Sequence, residues 1–230
     1  MTRVGRWIRR GLLLALLGFV ALQSWYFLHI VYWRYANPQL TSFMEIRLAE
    51  LREADPRAAI QHTWMPYEKI STHVKRAVIA AEDDKFIDHE GFDWEGMQKA
   101  IEKNQRKGKV VAGGSTISQQ LAKNLFLSPS KTPWRKLQEA AITLMLESTL
   151  DKQRILEIYL NVVEWGNGIF GIEAAAQRYY RTSAALLGPA QAARLAVMLP
   201  NPRKYETQFS ARLQAHANRI QSRMSAAELP

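Results

Sequence analysis

The hydrophobic pattern is most continuous near the N-terminus. From Gly11 to Trp33 the chain runs for 23 residues without Asp, Glu, Lys or Arg. As a helix this run would extend about 34 Å at roughly 1.5 Å per residue, which is enough to cross a bilayer. A signal peptide and a buried core helix are the alternatives, but a signal peptide would have a shorter apolar region and a cleavage site between small residues. The run ends instead in bulky aromatic residues suited to a membrane interface: Trp25, Tyr26, Tyr32 and Trp33. We therefore interpret residues 11–33 as an uncleaved transmembrane helix.

The charges that flank this run predict its orientation. Four arginines precede it: Arg3, Arg6, Arg9 and Arg10. Cytoplasmic flanks of membrane helices carry an excess of positive charge, so residues 1–10 are predicted to be a cytoplasmic tail and the rest of the chain to lie outside. Arg34 weakens this asymmetry without reversing it.

Helical spacing of apolar residues dominates the remainder of the chain. An amphipathic helix is predicted from Thr41 to Glu53, after a short polar joint. The other predicted helices are Tyr67–Asp83, Asp93–Lys103, Thr116–Leu125, Pro133–Leu150, Lys152–Val162, Ile172–Tyr180, Pro189–Leu199 and Thr207–Ala227. Alternating strand patterns are scarce, and residues 103–114 form the clearest irregular segment. The pattern predicts one mainly α domain over residues 40–225.

Composition and charge limit the functional classes. A chain of 230 residues with 47% hydrophobic content can form one medium-sized core. The net charge is +10, and without the five arginines around the apolar run 26 basic and 21 acidic residues remain, a net +5. A basic domain beside a membrane suits anionic headgroups or substrates, although such charge can also serve solubility alone. Export disfavours nucleic acid as a partner, and the absence of Cys excludes thiolate chemistry and Cys-based metal sites.

The segment AVIAAEDDKFIDHEGFD carries the first candidate for chemistry. It places Glu82 and Asp83 at the end of an apolar helix, with His89 and Gly91 just beyond. An acid at a helix end is usually a solvated carboxylate. Burial against apolar surface would, however, raise the pKa of Glu82 toward a range useful for proton transfer, so Glu82 is a candidate base.

The segment GGSTISQQLAKN is a glycine-rich turn that leads into a helix. Thr116 and Gln119 fit a capping box, so free backbone N–H groups near Ser115 could hold an anion. Gln119 and Gln120 lie four and three residues before Lys123, so amide donors and an ammonium share one face that suits phosphate oxygens. An ordinary capped helix with polar surface residues is the alternative. The segment is not a P-loop, because no Gly-Lys-Ser/Thr follows the glycines.

Two further segments complete the set. TPWRKLQEAAITLMLES begins a helix at Pro133 and places Arg135 four residues before Glu139, a spacing that also fits a purely structural ion pair. Glu147 falls on a similar face of that helix. DKQRILEIYLNVVEWGNGIFGIEAAAQRYY is interpreted as two helices joined by a Gly-Asn-Gly turn at residues 166–168.

The four segments, in this order and spacing, resemble the peptidoglycan glycosyltransferase family, which includes monofunctional transglycosylases and the N-terminal domains of bifunctional penicillin-binding proteins. The matching motifs are EDDKFIDHEG, GGSTISQQLAKN, RKLQE and KQRILEIYLN. The resemblance covers roughly residues 40–225. EWGNGIFGIEAAA is particularly similar to the monofunctional enzymes of Gram-negative bacteria, whose catalytic domain would lie in the periplasm on an inner-membrane anchor.

The resemblance implies a lysozyme-like α-helical domain that uses lipid II as acceptor and a growing glycan strand as donor. Glu82 matches the family's base, which deprotonates the GlcNAc 4-hydroxyl as it attacks the MurNAc anomeric carbon. Undecaprenyl diphosphate leaves, and a β-1,4 bond forms with inversion. Glu139 matches the second catalytic glutamate, on the side of the leaving group.

The resemblance also implies substrate-binding residues and partners. The matching substrate-binding positions are Asp83, Ser115, Gln119, Gln120, Lys123, Asn124, Arg135 and Lys136. No cofactor is obligatory, but a divalent ion, Mg²⁺ or Mn²⁺, at the diphosphate is an option. The implied partners are lipid II, the growing strand and the inner membrane, with transpeptidases and cell-division proteins as candidates and without nucleic acid.

Two departures limit the resemblance. Some relatives have an arginine where this chain has Lys131, and lysine keeps the charge but loses the bidentate geometry. Ser128 to Lys131 also fit the Ser-x-x-Lys pattern of penicillin-binding nucleophiles. We reject that interpretation because no Lys-Thr-Gly follows and the chain is too short for a second domain, so no transpeptidase activity is expected.

Two other functions are considered. A lytic muramidase would share an acidic cleft, but it needs an acid to protonate a glycosidic oxygen and has no use for a diphosphate site. A membrane-anchored scaffold that binds glycan or lipid II without turnover would not need both Glu82 and Glu139.

Overall fold

The long N-terminal helix dominates the outline of the chain in the computed structural model, which describes residues 3–109 and 113–230. Helix α1 spans Arg3–Trp33. Within it, Trp7–Trp33 is long and apolar enough to cross a membrane, and the large side chains from Leu12 to Leu22 are exposed. An exposed apolar helix of this length fits a membrane anchor. This agrees with the interpretation of residues 11–33.

The last turns of α1 pack on the rest of the chain instead of standing free. Tyr26, Ile30 and Trp33 are buried there. The guanidinium of Arg154 donates hydrogen bonds to the carbonyl oxygens of Trp33 (2.9 and 3.0 Å) and Ala36 (2.6 Å) and to the side chain of Asn37 (2.9 Å). A cation that satisfies the free carbonyls at the end of a helix stabilises that end. Arg154 therefore fixes the anchor to the domain.

The domain itself is built from ten further helices in the described ranges. They are α2 (Ser42–Ala54), α3 (Thr72–Glu82), α4 (Trp94–Lys107), α5 (Ile117–Phe126), α6 (Pro133–Thr149), α7 (Lys152–Val162), α8 (Ile172–Tyr180), α9 (Pro189–Ala196), α10 (Pro202–Thr207) and α11 (Ala211–Arg223). Short 3₁₀ helices lie at Tyr67–Lys69, Ala184–Leu186 and Met224–Ala226. The prediction of a mainly α fold with a single N-terminal apolar helix is confirmed.

Two apolar helices organise the core. Helix α5 packs between α6 and α7, and α3 packs against α9 and α11. Their inward positions are fully buried aliphatic residues, such as Val78 and Ile79 on α3 and Ile117 and Leu121 on α5. Burial of apolar surface from both helices fixes the C-terminal end of α3 near the N-terminal end of α5.

The prediction that a Gly-Asn-Gly turn joins two helices is wrong. The turn at residues 166–168 joins two short strands, β2 (Glu164–Gly166) and β3 (Ile169–Phe170), which pair antiparallel. β1 (Gln61–His62) pairs with β3 in parallel. Both hairpin strands are buried on both faces, so their sequence shows no alternation and resembles a helix core.

Several predicted helix ends also differ. The helix predicted from residue 67 is interrupted before α3, because the Ser71 side chain caps α3 by accepting from the His73 N–H. Helix α4 continues to Lys107 and ends at Gly108, whose φ of 62° is a left-handed conformation that favours glycine. Basic residues 103–107, predicted to be irregular, are therefore helical, whereas residues 110–112 of that predicted segment lie outside the described residues. The last predicted helix, Thr207–Ala227, begins only at Ala211 as α11, since Ser210 caps it, and the short helix α10 before it was not predicted.

Candidate active site

Glu82 is the last residue of α3 and faces a cleft of about 180 Å³. The cleft is lined by the end of α3, the first turn of α4, the glycine-rich turn before α5 and one side chain of α11. These residues are Ala80, Ala81, Glu82, Asp83, Asp84, Asp93, Gly96, Met97, Gly113, Gly114, Ser115, Thr116 and Arg223. Segments distant in sequence thus meet around one carboxylate.

The surroundings of Glu82 make it a suitable proton acceptor. The Gln120 amide donates a hydrogen bond of 2.7 Å to Glu82 Oε2, and its own oxygen accepts one of 3.0 Å from the Tyr159 hydroxyl. Burial raises the pKa of Glu82, against the opposing effects of the Gln120 hydrogen bond and the Lys123 charge. A carboxylate with a raised pKa holds a proton more readily near neutral pH, as general-base catalysis requires.

Asp83, the next residue, is buried. Its Oδ1 is 2.9 Å from His89 Nε2, and its Oδ2 accepts from the backbone N–H of Ile117 at 2.9 Å. His89 Nδ1 in turn accepts from the Gly91 N–H at 3.1 Å, so Nε2 carries the proton that bonds to Asp83. These contacts join the end of α3 to the start of α5. Asp83 was predicted to bind substrate, but both of its oxygens are engaged within the protein.

The capping box predicted at the start of α5 is present. The Thr116 side chain accepts from the Gln119 N–H, and the Gln119 side-chain oxygen accepts from the Thr116 N–H at 3.0 Å. Gln119 is buried and its side-chain oxygen is used in this cap, whereas the side chain of Gln120 contacts Glu82. Asn124, also predicted to bind substrate, is buried on the same helix.

Glu139 is the centre of a cationic cluster on α6. Its Oε2 lies 2.5 Å from Arg135 Nη1, and its Oε1 pairs with Lys136. Lys136 Nζ also donates to the Ser115 hydroxyl at 3.3 Å, which links this cluster to the edge of the cleft. Arg135 Nε is buried without a hydrogen-bond partner in the described ranges, so this guanidinium retains an unused donor.

Lys123 interacts electrostatically with both glutamates. Burial lowers its pKa, while the charges of Glu139 and Glu82 raise it. Its ammonium also lies 5.5 Å from the centre of the Phe43 ring. Five of the predicted residues are thus brought into one electrostatic system, with the Glu82 carboxylate at one end and cations at the other. They are Glu82, Lys123, Arg135, Lys136 and Glu139.

The residues around Glu139 do not fit a divalent ion. Mg²⁺ and Mn²⁺ require several oxygen ligands, usually including carboxylates. In the described residues no group of three or more His, Asp or Glu side chains could hold a metal, and both oxygens of Glu139 face cations. Positive charge at this end of the cleft therefore comes from Arg135 and Lys136.

Glu147, to which the sequence assigned no role, links α6 to α5 and α7. It accepts from the Ser118 hydroxyl at 2.5 Å and pairs with Lys152 at 2.9 Å. Gly91, with φ of 89°, passes so close that a Cβ there would lie 2.7 Å from Thr143 Cγ2. The glycine of the first motif therefore permits the close approach of that loop to α6.

Two residues of the site escaped the sequence analysis. Tyr159 orients Gln120 from α7, a helix that was interpreted only as core. Arg223 reaches the cleft from α11, where its Nη2 donates to the Ala80 carbonyl at 2.7 Å. A sequence signal could have revealed Arg223, because it lies on one helical face with Arg212, His216 and Arg219. Lys131 is exposed between α5 and α6.

Comparison with known proteins gives a consistent result. A family model described as transglycosylase matches residues 49–225. A biosynthetic peptidoglycan transglycosylase of Azoarcus sp. (strain BH72) is 63% identical over all 230 residues and over the full length of that protein. One of Aromatoleum aromaticum is 66% identical over 221 residues, 96% of each chain, and one of Methylobacillus flagellatus is 61% identical over 222 residues, 96% of this chain and 97% of the other.

Proposed function

Since this chain belongs to the transglycosylase family, we propose that it makes glycan strands with Glu82 as base and the Glu139 cluster on the leaving-group side. The chain is a peptidoglycan glycosyltransferase that polymerises lipid II in cell-wall synthesis, without transpeptidase activity. The observation that carries the proposed roles is the position of the half-buried Glu82 at one end of a site whose other end is cationic, with a pKa that desolvation raises.

In the proposed reaction Glu82 removes the proton from the GlcNAc 4-hydroxyl of lipid II. The acceptor oxygen forms a bond to the anomeric carbon of the donor MurNAc, and the bond from that carbon to the diphosphate breaks with its electron pair on the leaving oxygen. The new β-1,4 linkage has inverted configuration. Gln120 supports this role, because its amide stabilises the ionised, proton-accepting form of Glu82.

Negative charge develops on the departing diphosphate, and the cations on α5 and α6 are suited to stabilise it. Lys123 is the cation best suited to bind the diphosphate. The charges of both glutamates act on it, but it forms no direct ion pair in the described parts of the chain. Arg135 offers its unused Nε–H donor. Preorganised positive charge that strengthens its interaction in the transition state lowers the barrier. Glu139 holds Arg135 and Lys136 in place and is proposed to act by positioning them.

The other predicted substrate residues divide into two groups. Ser115 lines the cleft and contacts Lys136, so we propose that it binds the diphosphate region with Lys136. Asp83, Gln119 and Asn124 are buried, and we propose that they shape the site without touching substrate.

We further propose that α1 anchors the enzyme in the inner membrane, with residues 1–10 in the cytoplasm, residues 11–33 spanning the bilayer and residues 40–225 forming a periplasmic catalytic domain. The arginines of the tail support this orientation. Transpeptidases and cell-division proteins are proposed partners, because a chain without transpeptidase activity needs others to cross-link its product. A reporter enzyme that is active only in the periplasm, fused after Pro230, should be active.

Polymerisation of labelled lipid II by the purified full-length protein tests the roles directly. Glu82→Gln is expected to lower the rate by about 10²- to 10⁴-fold, the usual contribution of a general base. Asp88→Asn is the matched control, since Asp88 is an exposed carboxylate of the same loop that does not line the cleft. Polymerisation by Glu82→Gln at the wild-type rate would remove Glu82 from the role of base. Shortening of preformed strands would instead favour a lytic muramidase, and retention of lipid II without product would favour a scaffold.

A further inference from the structure

A second groove lies between α4 and α11, next to the catalytic cleft. It has a volume of about 840 Å³ and contains cations from three helices: Lys103 on α4, Lys204 on α10, and Arg212 and Arg219 on α11. His216 and Tyr205 also line it, and no lining residue is Asp or Glu. The groove is therefore a concentrated site of positive charge.

These cations are not used by the protein itself. Within the described residues, none of the four Lys and Arg side chains of the groove forms an ion pair, whereas other exposed cations such as Lys85 and Lys99 pair with Glu95. Burial lowers the pKa of His216, and positive charges lower it further. Those charges belong to Arg219, Arg223, Arg212 and Lys103. Cations on two helices thus act on one imidazole, and they face a common space.

The groove continues into the catalytic cleft along one face of α11. Arg212, His216, Arg219 and Arg223 follow each other at intervals of four, three and four residues. Such intervals place side chains in a row on one helical face. The last of them, Arg223, lines the cleft of Glu82. From Arg212 to Arg223 the row is about 16 Å long at roughly 1.5 Å per residue.

The groove holds four cations without an ion pair in the described residues, and the row on α11 leads from it to Arg223, which pairs with Asp84 at the cleft. Such an arrangement suits an acidic, extended substituent of the reacting sugar. The MurNAc residues of peptidoglycan carry a short peptide with free carboxylates. An extended peptide spans about 3.3–3.6 Å per residue, so about 16 Å accommodates roughly five residues. We propose that this groove binds the carboxylates of the substrate's peptide, a proposal that rests on the proposed glycosyltransferase function.

An anionic lipid headgroup would satisfy the same charges, but the packing favours the peptide. The anchor helix packs on α6, and Arg154 of α7 fixes its end. Helix α11 packs instead on α9 and α3. The helices that form the groove are therefore not those that hold the anchor helix, and α11 connects the groove to the cleft of Glu82.

The test uses the full-length protein and two forms of lipid II, one with free peptide carboxylates and one with those carboxylates converted to carboxamides. Arg212→Gln/Arg219→Gln is expected to raise KM for the free-carboxylate form by about threefold to tenfold, as two exposed ion pairs would. KM for the amidated form should be the same in the variant and the wild type. Arg57→Gln/Arg181→Gln is the matched control, because it also removes two exposed charges, neither of which lines the groove, and it should leave both values unchanged.

Binding of soluble, peptide-bearing glycan fragments gives a second readout that does not need turnover. Wild-type protein should bind fragments with free carboxylates more tightly than amidated ones, and the groove variant should lose that difference. Equal KM changes for both forms of lipid II, or no change, would overturn the proposal. So would a loss of binding to vesicles of anionic phospholipid with KM unaltered, since the groove would then serve the membrane surface. If wild-type protein made no glycan from either form, the proposed function would fail instead.

Discussion

Replacing Gln120 by Leu is expected to move the acid limb of the pH–rate profile to higher pH. The Gln120 amide donates a 2.7 Å hydrogen bond to Glu82, and this bond favours the ionised carboxylate. Hydrogen bonds to charged groups contribute about 1.5–3 kcal/mol, and 1.36 kcal/mol corresponds to one pH unit. Loss of the donor should therefore move the acid limb upward by about one to two pH units.

The sign follows from the role of Glu82. A base must be ionised to accept a proton, and burial already raises the pKa of Glu82 above its ordinary value. Removing Gln120 removes an opposing effect, so the pKa rises further and activity is lost at a higher pH as the solution is acidified. Above that region, where Glu82 is ionised in both proteins, the rates should converge if Gln120 acts only through Glu82.

The assay is the initial rate of glycan formation from lipid II, measured from acidic to mildly alkaline pH. Tyr159→Phe should change the profile in the same direction by a smaller amount, because it removes only the hydroxyl that orients the Gln120 amide. Gln105→Leu, at an exposed position of α4, is the control and should match the wild type. An acid limb that stays in place in Gln120→Leu, or that moves to lower pH, would refute the reasoning.

Three further predictions concern residues that hold the site or the anchor helix in place. Gly91→Ala should lower the melting temperature by several degrees, because φ of 89° and a Cβ contact of 2.7 Å with Thr143 together cost about 1–3 kcal/mol. Gly108→Ala, with φ of 62° and no atom within 4 Å of its Cβ, should lower it less. Equal losses in melting temperature would contradict the role of packing at Gly91. Arg154→Met should accelerate amide hydrogen exchange at the end of α1, measured by mass spectrometry in detergent. Arg154→Lys should exchange almost as fast, because lysine lacks the planar guanidinium that reaches three acceptors. Unchanged exchange in Arg154→Met would show that Arg154 does not hold the end of α1. Glu139→Gln should reduce polymerisation at least about tenfold, by releasing the cations that it orients, and a normal rate would show that they need no such support.

Glu82 and Glu139 illustrate how far local sequence reaches. The resemblance of the four spaced motifs predicted that they would share a site, and in the structure the charges of both act on Lys123. The same spacing could not distinguish residues that face the cleft from those that hold it together. Gln119 and Gln120 are adjacent in the motif, yet one caps α5 and the other contacts Glu82, because successive helical positions differ by about 100° in direction.

Strand and helix boundaries show the same limit. The buried hairpin at residues 164–170 was interpreted only as a turn between two helices, because a strand with both faces covered has no alternating pattern to reveal it. Residues 103–107 were predicted to belong to an irregular segment, but α4 includes them and ends beyond them at the left-handed Gly108.

The sequence by itself determined the apolar anchor, the predominance of helices and the capping box at Thr116, because each depends on residues close together in the chain. Only the tertiary structure decided that Tyr159 orients Gln120, that Arg223 enters the cleft from the last helix and that Arg154 clamps the anchor. Those contacts join residues separated by tens to more than one hundred positions. They arise when burial of the apolar faces of α3 and α5 fixes distant helices against one another, a condition that no local pattern encodes.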